Sequence, residues 1–228
     1  MKNCRGTMHR TRSPSVTYHR RSIRLKGYDY SQPGAYFATI CTYNKKCVFG
    51  DVIDGNNHLN GFGKIVEKEW LKTFDMRKNL KLDGYVVMPN HLHGIIMIEG
   101  RGVLQYTQLG TLQRAPTYEH FGKPVSSSIP TIIRLFKSTT TKQINQLRQT
   151  PGMYLWQRNY YEHIIRSENE LNQVREYINN NPLQWQFDRE NPNCRGTLQR
   201  ASTGILRYAP TNNQWNHFEE KIYGKTKQ

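Results

Sequence analysis

Two histidines one residue apart, His91-Leu92-His93, are the sharpest chemical feature of the sequence. In a β-strand, residues i and i+2 project from the same face. Both imidazoles would therefore converge while Leu92 turns into a core. Paired imidazoles suit a divalent metal. The bland alternative is a pair of hydrogen-bonding surface histidines. Pro89-Asn90 before the pair and the apolar run Gly94 to Ile98 after it put the pair at the start of a central strand, and there the two readings weigh about equally.

The second candidate is Tyr177. Leu171, Val174 and Ile178 form the apolar stripe of a helix, with Tyr177 at its rim and Asn181 one turn further on the same side. A phenol can act as a nucleophile. On a phosphodiester it would leave a phosphotyrosine link and a free hydroxyl. A metal held by the histidines would align and polarise the phosphate, and Asn181 would supply an oxygen ligand or orient it. Fourteen tyrosines make packing the ordinary role for any one of them. Tyr160 and Tyr161 are rivals on a strand of alternating facing, where only one can point into a site. His163, alone on that strand, reads as structural.

The elements that must position these residues follow from local patterns. Tyr36 to Tyr43 is a strand by its aromatic and β-branched content. Cys47 to Leu59 is a hairpin around Asp54-Gly55. Gly63 to Met76 has a helical period, and Leu82 to Met88 and Leu92 to Ile98 are two strands joined through Pro89-Asn90. Pro130 to Arg148 is a helix opened by proline, and Tyr160 to Ile165 a strand. Ser167 to Glu170 is a capping box starting a helix that runs to about Asn180 and stops at Pro182. The order is βαββαβ plus a C-terminal helix. With antiparallel pairing this is an α+β, ferredoxin-like arrangement. Three parts are expected: a basic arm over 1–30, a domain over 31–185 with a long loop at 100–128, and a polar extension over 186–228.

The charge points to a polyanion. The chain has 228 residues, 33 Lys plus Arg against 17 Asp plus Glu, and a net charge of +16. Residues 1–30 hold eight basic residues and one acidic, and 130–150 hold four basic and none acidic. Hydroxyls and amides surround the second cluster, a mixture that suits phosphate and sugar contacts better than a membrane surface. The longest apolar stretches are far short of a membrane span. The N-terminus lacks the apolar core of a secretory signal. Four scattered cysteines form no CxxC pair, which disfavours disulfide frameworks and thiolate zinc sites. A cytoplasmic protein is expected.

The same residues carry a family resemblance. Met88-Pro-Asn-His-Leu-His-Gly94 resembles the HUH segment of single-tyrosine HUH transposases, where U is hydrophobic. Trp156 to Arg166, Tyr177-Ile-Asn-Asn-Asn-Pro182, Arg20 to Tyr30 and Phe136 to Lys142 are similar to blocks of the REP-associated tyrosine transposases. The likeness spans roughly residues 20–190, with several motifs in order. It implies a ferredoxin-like core, and Mg²⁺ or Mn²⁺ held by His91 and His93. It implies Tyr177 as the nucleophile that nicks and rejoins single-stranded DNA through a 5′-phosphotyrosine. Asn181 stands where related transposases have Gln as a further metal ligand. The implied substrates are hairpin-forming palindromes with a nearby single strand. Arg20, Arg21, Arg24, Lys26, Arg134, Lys137, Lys142 and Arg158 are the expected DNA contacts, with Tyr160 or Trp156 stacking a base. Core packing is the favoured role for Trp156. Some members act as homodimers, others as monomers.

Two other function classes fit the residues. One is a replication-initiator or relaxase-like nickase, although the chain has no room for a helicase. The other is a non-catalytic hairpin-binding protein descended from a transposase. A zinc hydrolase fits poorly, because no third His or carboxylate ligand stands at catalytic spacing. Gly110 to Ala115 recurs at Gly196 to Ala201, and Asn3 to Thr7 at Asn193 to Thr197. The unequal spacing excludes a solenoid period and suggests in-frame insertion of short repetitive DNA at tolerant places.

Overall fold

A computed structural model describes residues 28–100, 125 and 127–192. The repeated segments and most of the basic arm lie outside the described residues.

The elements in chain order are β1 (Gly34–Cys41), the hairpin β2 (Gly50–Ile53) and β3 (Asn56–Leu59), α1 (Gly61–Asp75), β4 (Leu80–Val87), β5 (His91–Ile98), α2 (Ile129–Leu147), β6 (Tyr161–Ile165) and α3 (Glu168–Asn180). A short 3-10 segment, Pro182–Phe187, follows. The main sheet runs β4-β5-β1-β6, with every neighbour antiparallel. That is the ferredoxin-like order. The hairpin is a separate two-stranded sheet. It turns on Asp54 and Gly55 at φ 50° and 74°, the two-residue geometry that the Asp-Gly pair favours.

Period-2 facing divides the chain between two layers. Tyr36, Ala38, Ile40, Leu92 and Ile96 point to one side and bury against Val66 and Trp70 of α1 and Ile132, Ile133 and Phe136 of α2. Phe37 and Ile95 point to the other side and bury against Leu171, Val174, Tyr177 and Ile178 of α3. On the first side Gly94 permits the close approach of α1, since a Cβ there would collide with the Trp70 ring.

Caps match the polar residues that flank each helix. The Asn60 side chain accepts from Phe62 N and Gly63 N, and Ser128 accepts from Thr131 N. At α3, Ser167 Oγ accepts from Glu170 N at 3.2 Å. The Glu170 carboxylate reaches back one residue further than a capping box would, to Arg166 N at 2.8 Å. It also accepts from His163 Nε2 at 3.0 Å, which gives that histidine a structural role. Arg175 forks onto both oxygens of Asp83 at the β4 bulge, fixing α3 against the sheet. No helix among the described residues is long and apolar enough to cross a membrane.

Candidate active site

His91 and His93 open β5, opposite Cys41 and Thr39 of β1. Both face α3, and their ring centroids are 4.4 Å apart. Both are fully buried, which removes the reading as surface histidines. Burial pushes each imidazole below its ordinary value. For His93 the neighbouring His91 and Arg189 push the same way, while for His91 the Asp188 and Glu190 carboxylates push back. Burial thus favours the neutral rings, whose lone pairs can serve as ligands.

The hydrogen-bond network assigns the His91 tautomer. Asn90 Nδ2 donates to Lys45 O (2.9 Å) and Glu190 O (2.6 Å), so its Oδ1 is the acceptor end. His91 Nδ1 lies 2.8 Å from that oxygen and must donate to it. The Nε2 lone pair then points inward, 3.7 Å from Asp188 Oδ2.

Asp188 follows the 3-10 segment. Its Oδ1 accepts from Glu190 N at 2.6 Å. Glu190 is tied in turn by Cys41 Sγ (3.3 Å) and Lys45 Nζ (3.2 Å). Ligand atoms of His91, His93 and Asp188 all lie within 4.8 Å of one another. Asn181, at the end of α3, is buried and its amide faces His91. His91 Nε2, Asp188 Oδ2 and Asn181 Oδ1 are buried without a hydrogen-bond partner among the described residues. Orphaned buried acceptors are costly. Two imidazole nitrogens, a carboxylate and an amide oxygen gathered in one place form a donor set that fits a divalent cation.

Tyr177 enters from α3. It is 3% exposed, not at a rim, and its phenolic oxygen is 3.4 Å from His93 Nε2. Its ring packs edge-on against Phe37. Of the two rival tyrosines, Tyr161 takes the same face. Thr39 is the register partner of both His93 and Tyr161, so Tyr161 is two strands from His93, about 10 Å away. Burial pushes its phenol up to about 12. Tyr160 lies on the opposite face against the α1–α2 core.

The expected DNA contacts are spread out. Arg20, Arg21, Arg24 and Lys26 lie outside the described residues. Arg134, Lys142 and Arg158 are exposed. Lys137 is half-buried; it donates to Gln157 O (3.0 Å) and Asn159 O (2.9 Å) and sits over the Tyr160 ring. Burial lowers its ammonium to about 8. Trp156 is core: its Nε1 donates to Thr140 Oγ1 at 2.8 Å, and its ring packs on Phe49 and Phe136.

No third ligand at catalytic spacing is evident in the sequence; the fold brings the Asp188 carboxylate to the two histidines. It comes from just past residue 185, in the stretch whose composition predicts a polar extension. Asp188 and Glu190 are both buried. Their stretch has no hydrophobic period, so the one available signal was two acidic residues close behind Pro182 in a chain poor in acids.

The site is thus a buried His-His-Asp group on a ferredoxin-like sheet, facing a helix-borne tyrosine. The chain belongs to the same family as a Haemophilus influenzae protein described as uncharacterized, to which it is 42% identical over 172 residues, 75% of this chain and 92% of that one. No family model matches the chain. Among solved structures it is similar to a REP-associated tyrosine transposase bound to a REP hairpin, with a TM-score of 0.49 and 16% identity, over 74% of this chain and 76% of that one.

Proposed function

We propose that the chain is a metal-dependent tyrosine transposase of the REP-associated HUH type, which nicks and rejoins single-stranded DNA at hairpin-forming repeats. The observation that carries this reading is the Tyr177 oxygen, 3.4 Å from His93 Nε2 within the buried His91, His93 and Asp188 group. The motifs from Met88 to Gly94 and Tyr177 to Pro182 support the same reading.

His91, His93 and Asp188, with the Asn181 oxygen beside them, would hold Mg²⁺ or Mn²⁺, which when bound supplies positive charge to a phosphodiester. Asn90 keeps the His91 lone pair turned inward. Tyr177 attacks phosphorus: its Oη–P bond forms, the P–O3′ bond breaks, and the phenolic proton departs while the 3′-oxygen gains one. The 5′-phosphotyrosine conserves the bond energy, so attack by a 3′-hydroxyl rejoins the strand and restores the phenol. Arg134, Lys142 and Arg158 offer exposed charge for backbone phosphates.

The test uses labelled hairpin DNA from palindromes flanking the gene, with Mn²⁺ or Mg²⁺, on a denaturing gel. A covalent protein–DNA band that needs metal and vanishes in Tyr177→Phe and His91→Ala is the expected result. Tight hairpin binding with no band under either metal overturns the catalytic reading in favour of a binding protein.

A further inference from the structure

Tyr43 and Tyr154 form an aromatic pair outside the core. Their ring centroids are 5.4 Å apart with planes tilted by 35°, yet Tyr43 is 45% and Tyr154 73% exposed. One exposed tyrosine means little. Two exposed rings held together from separate loops need a holder, and the backbone provides it. Tyr43 N donates to Leu155 O (2.8 Å), Gln157 N donates to Cys41 O (2.9 Å), and Thr42 bridges Trp156. The Tyr43 turn passes through Asn44 and Lys45 at φ 55° and 53°, a region that non-glycine residues seldom adopt. Asn90 Nδ2 and the Lys45 ammonium pin that turn to the segment around Glu190.

The pair stands beside the candidate active site. Cys41, two residues before Tyr43, is the register partner of His91. The surroundings are mainly basic, and the one acidic neighbour the contacts show there, Glu190, is paired with Lys45. Lys46 and Arg158 are exposed, and the Arg148 guanidinium is fixed by Asn145 Oδ1 and Met153 O. No Asp or Glu occurs in 41–50 or in 120–161. Exposed rings beside exposed cations, with the nearby Glu190 carboxylate already paired to Lys45, match the two needs of an unpaired nucleotide: a π-face for the base and positive charge for the phosphate.

We propose that Tyr43 and Tyr154 are a stacking platform for an unpaired base of a DNA strand entering the active site, with Lys46 and Arg158 on the flanking phosphates. The identity of the ligand rests on the function proposed above; the platform itself rests on the aromatic pair and the charge around it.

The test is fluorescence anisotropy of a short labelled deoxyoligothymidine. Tyr154→Ala should weaken binding roughly 5- to 100-fold, while Tyr154→Phe and Tyr154→Trp keep it, because stacking needs a ring and not the hydroxyl. An abasic site at the stacked position should weaken wild type equally, with no added loss in Tyr154→Ala. Lys46→Gln should flatten the salt dependence by a little under one unit of log–log slope. At saturating DNA, Tyr154→Ala should still form the Tyr177 adduct. Equal binding by Tyr154→Ala and wild type, with the adduct intact, overturns the platform and spares the chemistry. Platform-dependent binding with no adduct overturns the chemistry and spares the platform. Wild type that binds no single strand overturns both.

Discussion

Asn90 and His91, adjacent in sequence, are joined side chain to side chain: His91 Nδ1 donates to Asn90 Oδ1 at 2.8 Å. The same amide donates to the carbonyls of Lys45 and Glu190. One buried asparagine thus orients a histidine and anchors the segment that delivers Asp188. Asn90→Ala removes all three bonds, and a loss of about 2–4 kcal/mol of stability is expected. Mn²⁺ affinity should fall about 10- to 100-fold, read by electron paramagnetic resonance titration. Asn90→Asp keeps the acceptor for His91 and should bind more Mn²⁺ than the alanine variant. Wild-type affinity in Asn90→Ala would refute the positioning role.

Asp188 should trade stability for metal binding. Its Oδ2 is buried without a hydrogen-bond partner among the described residues. In metal-free protein, Asp188→Asn should be as stable as wild type or up to about 1 kcal/mol more so, since a buried charge is relieved. The rise in melting temperature that Mn²⁺ gives wild type should shrink or vanish. An unchanged Mn²⁺ response would remove Asp188 from the ligand set.

The two tyrosines on the histidine face should separate cleanly. Tyr177→Phe keeps the packing on Phe37 and should form no covalent DNA adduct. Tyr161→Phe should retain it within about tenfold, because its phenol stands two strands from His93. Loss of the adduct in Tyr161→Phe with retention in Tyr177→Phe would reverse the assignment.

Acid should destabilise the metal-free protein. Burial holds His91 and His93 below the ordinary histidine value, whereas in the unfolded chain each takes up a proton near pH 6.5. Their neutral forms leave stability intact above about pH 6.5. Below it, the unfolded state binds more protons, and stability falls by up to about 1.4 kcal/mol per pH unit for each histidine until the folded value is passed. Urea unfolding between about pH 7.5 and 5.5 reads this. His93→Gln should flatten the slope, and an equal slope in that variant would contradict it.

Local periodicity made much of the architecture readable. The two-residue alternation of a strand is enough to put His91 and His93 on one face and Leu92 on the other. Serine, asparagine and proline at the helix starts, and Asp54-Gly55 at the hairpin, are chemical signals confined to a few residues. The βαββαβ order then follows from counting elements.

What local pattern could not reach is which groups meet across the fold. Lys137 reads as a free cation in the chain, yet packing turns its ammonium onto two carbonyls of the loop before β6. Tyr160 and Tyr161 alternate by rule, but only the packing of α3 against one face of the sheet says which of them joins the histidines. Asp188 is the clearest case. It follows Pro182 in a polar stretch with no period, and its approach to His91 depends on the 3-10 return, on Glu190 N holding one carboxylate oxygen, and on Asn90 clasping Glu190 O. Facing within an element is set by backbone geometry over a few residues. The meeting of His91 with Asp188 is set by how separate elements bury their apolar faces, and that exists only once the chain has folded.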